Sequence, residues 1–246
     1  MKKKILIHQP YKYGDYLNVM PLVQKLYKLG YEVYYPYSSH VSDLIEYFDN
    51  IIFFEIGTED LNSSKRFCEE NNCILINCQS PKGYDELFTI HGGKYFIEEM
   101  KYYVAEDILK CGIKYEDKFN LKWNRNFEKE NKLIELLSLN LTTDYNISHL
   151  VGDNGRRGNI PEKFLNQKTI EITKIPGFSL LDWYPIIVNS KNILTIQSSI
   201  QCYVDIIKKD IKHNNFYLLN DTSEYDRLLV PAYGWNMEYF NNKRLR

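Results

Sequence analysis

Short apolar runs alternate with amphipathic stretches along almost the whole chain. Ile5-Leu6-Ile7 predicts a buried strand over Lys4–His8, and similar runs predict strands over Glu32–Tyr37, Ile51–Ile56 and Cys73–Asn77. Between the first two, Leu17, Met20, Val23, Leu26 and Tyr27 recur at three- and four-residue spacing, which predicts a helix near Asn18–Lys28 with one buried face. Helical patterns also fall near Val41–Tyr47 and Leu61–Glu70. Gln79–Gly93 carries Pro81, Gly83, Gly92 and Gly93 and reads as a loop. A helix over Lys94–Lys110 then ends before Gly112, a normal residue for closing a helix.

The alternation resumes after a candidate linker at Ile113–Asp117. A polar helix is predicted around Phe127–Leu139, strands over Asn146–Val151, Thr169–Thr173, Asn192–Ile196 and Asn215–Leu219, and helices over Leu180–Asn189 and Ser199–Lys209. The apolar residues beyond Ser223, among them Trp235, Tyr239 and Phe240, are expected to pack back across the molecule. Strand–helix–strand alternation calls for parallel sheets. The expected architecture is therefore α/β, with two Rossmann-like lobes, 1–115 and 116–246, facing a central cleft.

Composition narrows the partners. The chain has 246 residues, 44% of them apolar, enough for a full core, and a formal net charge of -1. That charge leaves no basic footprint for nucleic acid and points to small molecules or glycans. The 21 tyrosines accompany plentiful Ile, Lys and Asn, the mark of an AT-rich genome. Five cysteines with no C-x-x-C pair give neither a disulfide framework nor a zinc knuckle. The apolar run behind Met1-Lys2-Lys3-Lys4 stops at His8, short of a signal segment, and no stretch approaches the roughly 18 apolar residues of a membrane span. A cytoplasmic protein without a transmembrane segment is expected.

Three constellations could carry chemistry. Tyr13-Gly14-Asp15 lies between the first strand and its helix, where ligands settle in doubly wound domains. Asp15 is placed either as an N-cap or as a general base facing an acceptor, with Tyr13 and Gly14 beside it. His8, at the strand's end, is the alternative base. Gly152-Asp153-Asn154-Gly155-Arg156-Arg157-Gly158 follows a strand, so Gly152 and its neighbours offer backbone amides while Arg156, Arg157 and nearby Lys163 offer cations to phosphate oxygens. A solvated surface loop is the other reading. Gln197-Ser198-Ser199 joins a buried strand to a helix, which suits a diphosphate cradle or a plain serine cap. Upstream, Asp182 is set to hold ribose hydroxyls or to act as an early-turn helix acid. No D-x-D triplet is present, so a bound metal is not required; cationic side chains and helix amides would stabilise a leaving diphosphate.

Gly14-Asp15 with Pro21-Leu22-Val23-Gln24-Lys25-Leu26, and the helix–strand–serine turn over Leu180–Gln201, together resemble the heptosyltransferase superfamily, glycosyltransferase family 9. The resemblance covers about a quarter of the chain. It implies the GT-B fold, Asp15 as catalytic base and Ser198 with a basic loop residue at the donor diphosphate. The family's usual Asp-(Ser/Thr)-Gly-x-x-His is replaced here by Gln197-Ser198-Ser199-Ile200-Gln201-Cys202. Thr195-Ile196-Gln197-Ser198-Ser199 is also similar to the Ser-Ser turn of GDP-fucose-dependent transferases, so the donor sugar stays open.

The expected activity is metal-independent, inverting transfer of a sugar from a nucleotide diphosphate sugar, a co-substrate rather than a cofactor, to a hydroxyl of a glycan acceptor. A nucleotide- or glycan-binding module without turnover and a nucleotide-sugar epimerase are the alternatives.

Overall fold

The computed structural model describes residues 2–10, 12–56, 60–79, 97–152, 157–221 and 234–240. The chain divides into two compact units, Met1–Asn124 and Arg125–Arg246.

In the first unit, strands β1 (Lys4–His8), β2 (Glu32–Tyr37), β3 (Ile52–Glu55) and β4 (Ile74–Asn77) form one parallel sheet in the order β3-β2-β1-β4. Ile5, Leu6 and Ile7 of β1 are wholly buried, as expected for a central strand covered on both faces. The helices are α1 (Tyr13–Lys28), α2 (Leu61–Asn71) and α3 (Ile97–Leu109). A 3-10 segment at Ser39–Tyr47 stands where the sequence predicted a helix, and another at Tyr115–Asn120 is tied to α1 by Lys25 and Asp117, 3.3 Å apart.

Helix α1 begins five residues earlier than its apolar periodicity predicts. Gly14 and Asp15 therefore lie within its first turn rather than before it. A glycine is tolerated in a first turn, so Gly14 does not delay the helix. Lys12 precedes the helix with φ of 65°, a conformation that costs a non-glycine residue about 1–3 kcal/mol.

The second unit has β5 (Asn146–His149), β6 (Thr169–Glu171), β7 (Asn192–Thr195), β8 (Phe216–Asp221) and β9 (Asn236–Phe240), all parallel, in the order β6-β5-β7-β8-β9. Its helices are α4 (Phe127–Leu136), α5 (Tyr184–Val188) and α6 (Ser199–Ile207). Strand β9 is the element the sequence did not predict; it extends the sheet beside β8, with Leu219 opposite Glu238. Phe164, Leu194, Ile196 and Leu219 form a buried cluster on one face of this sheet, joined by Leu150, Ile160 and Tyr217.

The two parallel sheets with their helices make the chain an α/β protein, as the sequence indicates. Among the described residues no helix is long and apolar enough to cross a membrane.

Candidate active site

Strand order fixes where a ligand can enter each unit. In the first, the chain runs outward from β1 to β3 and then returns to the other side of β1 with β4. That reversal is where doubly wound sheets take ligands, at a crevice by the carboxyl ends of their strands. His8 and Asn77, paired in register, mark its floor.

Asp15 reaches this crevice from α1. Its side chain is 29% exposed, and Oδ1 accepts a hydrogen bond from Lys101 Nζ at 2.5 Å. The ammonium comes from α3, is 1% exposed, and also donates to Gln9 Oε1 at 3.0 Å. The N-cap position belongs to Lys12, and Asp15 lies within the first turn rather than at the cap. Among the described residues Asp15 Oδ2 accepts no hydrogen bond. Tyr13 donates from its hydroxyl to Asp43 Oδ2 at 2.9 Å, and Gly14 sits partly buried in the same turn.

His8 has a different environment. It is buried, with Nδ1 2.8 Å from Ser64 Oγ on α2. Burial outweighs the pull of Asp60 and lowers its pKa to about 4, so the ring is neutral near pH 7. A group this weakly basic and this enclosed ties α2 to β1 more readily than it takes a proton from a ligand.

In the second unit the reversal falls between β5 and β7. The glycine loop leaves β5 there, and the serine turn leaves β7. Both predicted donor segments therefore meet at one carboxyl edge. Val151 bridges Arg157 in antiparallel fashion, and Gly158 N donates to Leu150 O at 2.7 Å, so the described ends of the loop pair with each other. The closing glycine presses on the turn: a Cβ at Gly158 would lie 2.8 Å from Ile196 Cγ2. Gly152 is partly buried and Arg157 exposed; Arg156 lies outside the described residues.

Ser198 is the N-cap of α6. Its Oγ accepts from Ile200 N at 3.3 Å and lies 3.3 Å from Thr195 Oγ1. Gln197 and Ser199 are partly buried beside it. The cap role uses one lone pair of Ser198 and satisfies one of the first amides of α6, that of Ile200.

Lys163 and Asp182 stand apart from this edge in their bonding. Lys163 pairs with Glu238 of β9 and lies 4.7 Å from the centroid of the Tyr217 ring. Asp182 is fully buried and closes a reciprocal cap, accepting from Ser179 N at 2.9 Å while Ser179 Oγ accepts from Leu181 N at 3.1 Å.

The sequence reading passed over three residues at these crevices. Gln9 and Lys101 complete the Asp15 cluster. His149, opposite Thr195 at the end of β5, donates from Nδ1 to Ile172 O at 3.0 Å.

Two doubly wound parallel units, each with its crevice at a strand-order reversal, define the class of fold. The particular fold is similar to that of solved glycosyltransferase family 9 and heptosyltransferase structures. Over 97% of its length the chain is similar to a glycosyl transferase family 9 crystal structure from Veillonella parvula DSM 2008, covering 86% of that chain with a TM-score of 0.58 and 15% identity. It is also similar to E. coli ADP-heptose lps heptosyltransferase II, over 96% of this chain and 90% of that one, with a TM-score of 0.53 and 10% identity. No protein-family model matches the sequence, and no curated protein sequence matches it.

Proposed function

We propose that this protein is a glycosyltransferase that moves a sugar from a nucleotide diphosphate sugar to a hydroxyl of a glycan acceptor. The single observation that carries the reading is the state of Asp15: a first-turn carboxylate outside the N-cap position, held through Oδ1 at the β1–β4 reversal, with Oδ2 accepting no hydrogen bond among the described residues. The described solved structures of the same fold are glycosyltransferases, one of them acting with ADP-heptose by its name, which supports the class without fixing the donor here.

In this reading the nucleotide diphosphate binds at the β5–β7 reversal. Backbone amides of the glycine loop and of the α6 start, with Arg156 and Arg157, take the phosphate oxygens. Asp15 draws the proton from the acceptor hydroxyl as its oxygen bonds to the anomeric carbon, and the diphosphate leaves with the electrons of the broken bond. A single base acting on the acceptor implies direct displacement, and so inversion.

A panel of ADP, UDP, GDP, CMP and dTDP, read by thermal unfolding, tests the donor half. One of them should stabilise the protein by about 2.7 kcal/mol at a hundredfold excess over its Kd. Arg156→Ala or Arg157→Ala should weaken that binding by about 1.5–3 kcal/mol, the value of a charge-assisted hydrogen bond. A protein indifferent to all five would leave the reading without its donor site.

A further inference from the structure

Helix α3 carries charge where a buried helix face should be apolar. Glu98, Lys101, Tyr102 and Ala105 follow the spacing of one helical stripe, and all four are buried. Glu98 pairs with the buried Lys118, also accepts from Asn18 Nδ2, and lies 3.3 Å from the Tyr115 hydroxyl. Lys101 instead spans to Asp15, the partly exposed acid of the crevice.

Enclosing an ammonium costs several kcal/mol before its partners repay it, and an apolar residue of similar volume usually serves stability as well or better. The pair therefore calls for a reason beyond stability. A first-turn aspartate ordinarily turns toward the free amides of its own helix. Here Oδ1 is bonded to Lys101 instead, and Gln9 Oε1 accepts a second hydrogen bond from the same ammonium.

We infer that Lys101 is a positioning residue for the transfer step: it locks the Asp15 carboxylate by Oδ1 so that Oδ2 alone faces the acceptor hydroxyl. The inference rests on the glycosyltransferase reading with Asp15 as base. The acceptor gives its proton to Oδ2, its oxygen bonds to the anomeric carbon, and the bond to the diphosphate oxygen breaks with its electron pair leaving on phosphate. Lys101 keeps its protons throughout.

The test uses the full chain as wild type, Lys101→Met and Lys101→Arg, with crystal structures of each and turnover of ADP-heptose, UDP-glucose and GDP-mannose. In Lys101→Met the Asp15 carboxylate should swing toward the α1 amides, and in Lys101→Arg it should stay. Turnover by Lys101→Met should fall about 100-fold in kcat, the cost of a misplaced reacting group, with KM for the nucleotide sugar within twofold. Lys101→Arg should recover at least tenfold of that loss. An unmoved Asp15, an unchanged kcat, or a loss shared equally by Met and Arg variants would overturn the inference. If Asp15 moves as described but the wild type turns over none of the three donors, positioning stands and the assignment of the activity is what fails.

Discussion

Removing Asp15 should damage the fold of the first unit as well as any activity, because it strands a buried cation. Lys101 is 1% exposed, and its described acceptors are Asp15 Oδ1 at 2.5 Å and Gln9 Oε1 at 3.0 Å. Breaking a buried ion pair from one side costs about 3–5 kcal/mol, and the surviving Gln9 contact places Asp15→Ala near the lower end, about 3 kcal/mol. The reverse deletion is milder. Asp15 is 29% exposed, so in Lys101→Met water re-solvates the carboxylate and the loss should stay near about 1 kcal/mol. The double variant Asp15→Ala/Lys101→Met should then recover at least about 2 kcal/mol of the Asp15→Ala loss, a coupling well above the scatter of independent sites. Urea unfolding read by Trp123, which alone of the three tryptophans precedes residue 125, reports on this unit in a Trp183→Phe/Trp235→Phe background. Asp15→Ala losing under about 1 kcal/mol, or strict additivity in the double variant, would refute the argument. It follows that Asp15→Asn, which keeps an acceptor for Lys101, is the cleaner probe of chemistry.

Two further outcomes are expected. Because His8 titrates near pH 4 in the fold and near about 6.5 when unfolded, its contribution is fully present above about pH 6.5 and is lost as pH falls toward 4, by about 3 kcal/mol. The unfolded state binds the proton first, so stability must rise with pH across that window, and His8→Asn should flatten the slope; equal slopes in both proteins would remove His8 as its source. Gly158→Ala should cost about 1–3 kcal/mol, since the new methyl meets Ile196 at 2.8 Å and Ile196 leads directly into the serine turn. Unaltered urea unfolding in that variant would show that the loop does not pack on the turn as described.

The sheets were largely legible in the sequence because central parallel strands are uninterrupted apolar runs, as in Ile5-Leu6-Ile7 and Ile193-Leu194. Their ends and the chemistry between them were less so. Gly14 looks like a turn signal, yet a glycine in a first turn is tolerated, so α1 starts earlier than its apolar stripe. Strand β9 carries Asn236 and Glu238 and lacks clean alternation; its place is set by the β8 edge and the Lys163–Glu238 pair, which no local pattern encodes. The two readings of Asp182 could not be parted from sequence because a capping box and a ribose contact ask for the same acid. Lys101 was invisible because its partner lies 86 residues away. Its one local signal was a lysine falling on the buried stripe of an amphipathic helix, a position where a charge needs a partner from another element.

The most direct test is a crystal structure of the protein with the nucleoside diphosphate that stabilises it most. The account predicts the two phosphates at the carboxyl ends of β5 and β7, within hydrogen-bond reach of the Ser198 and Ser199 amides and the glycine loop. A nucleotide bound away from that edge, or at the β1–β4 reversal beside Asp15, would contradict it.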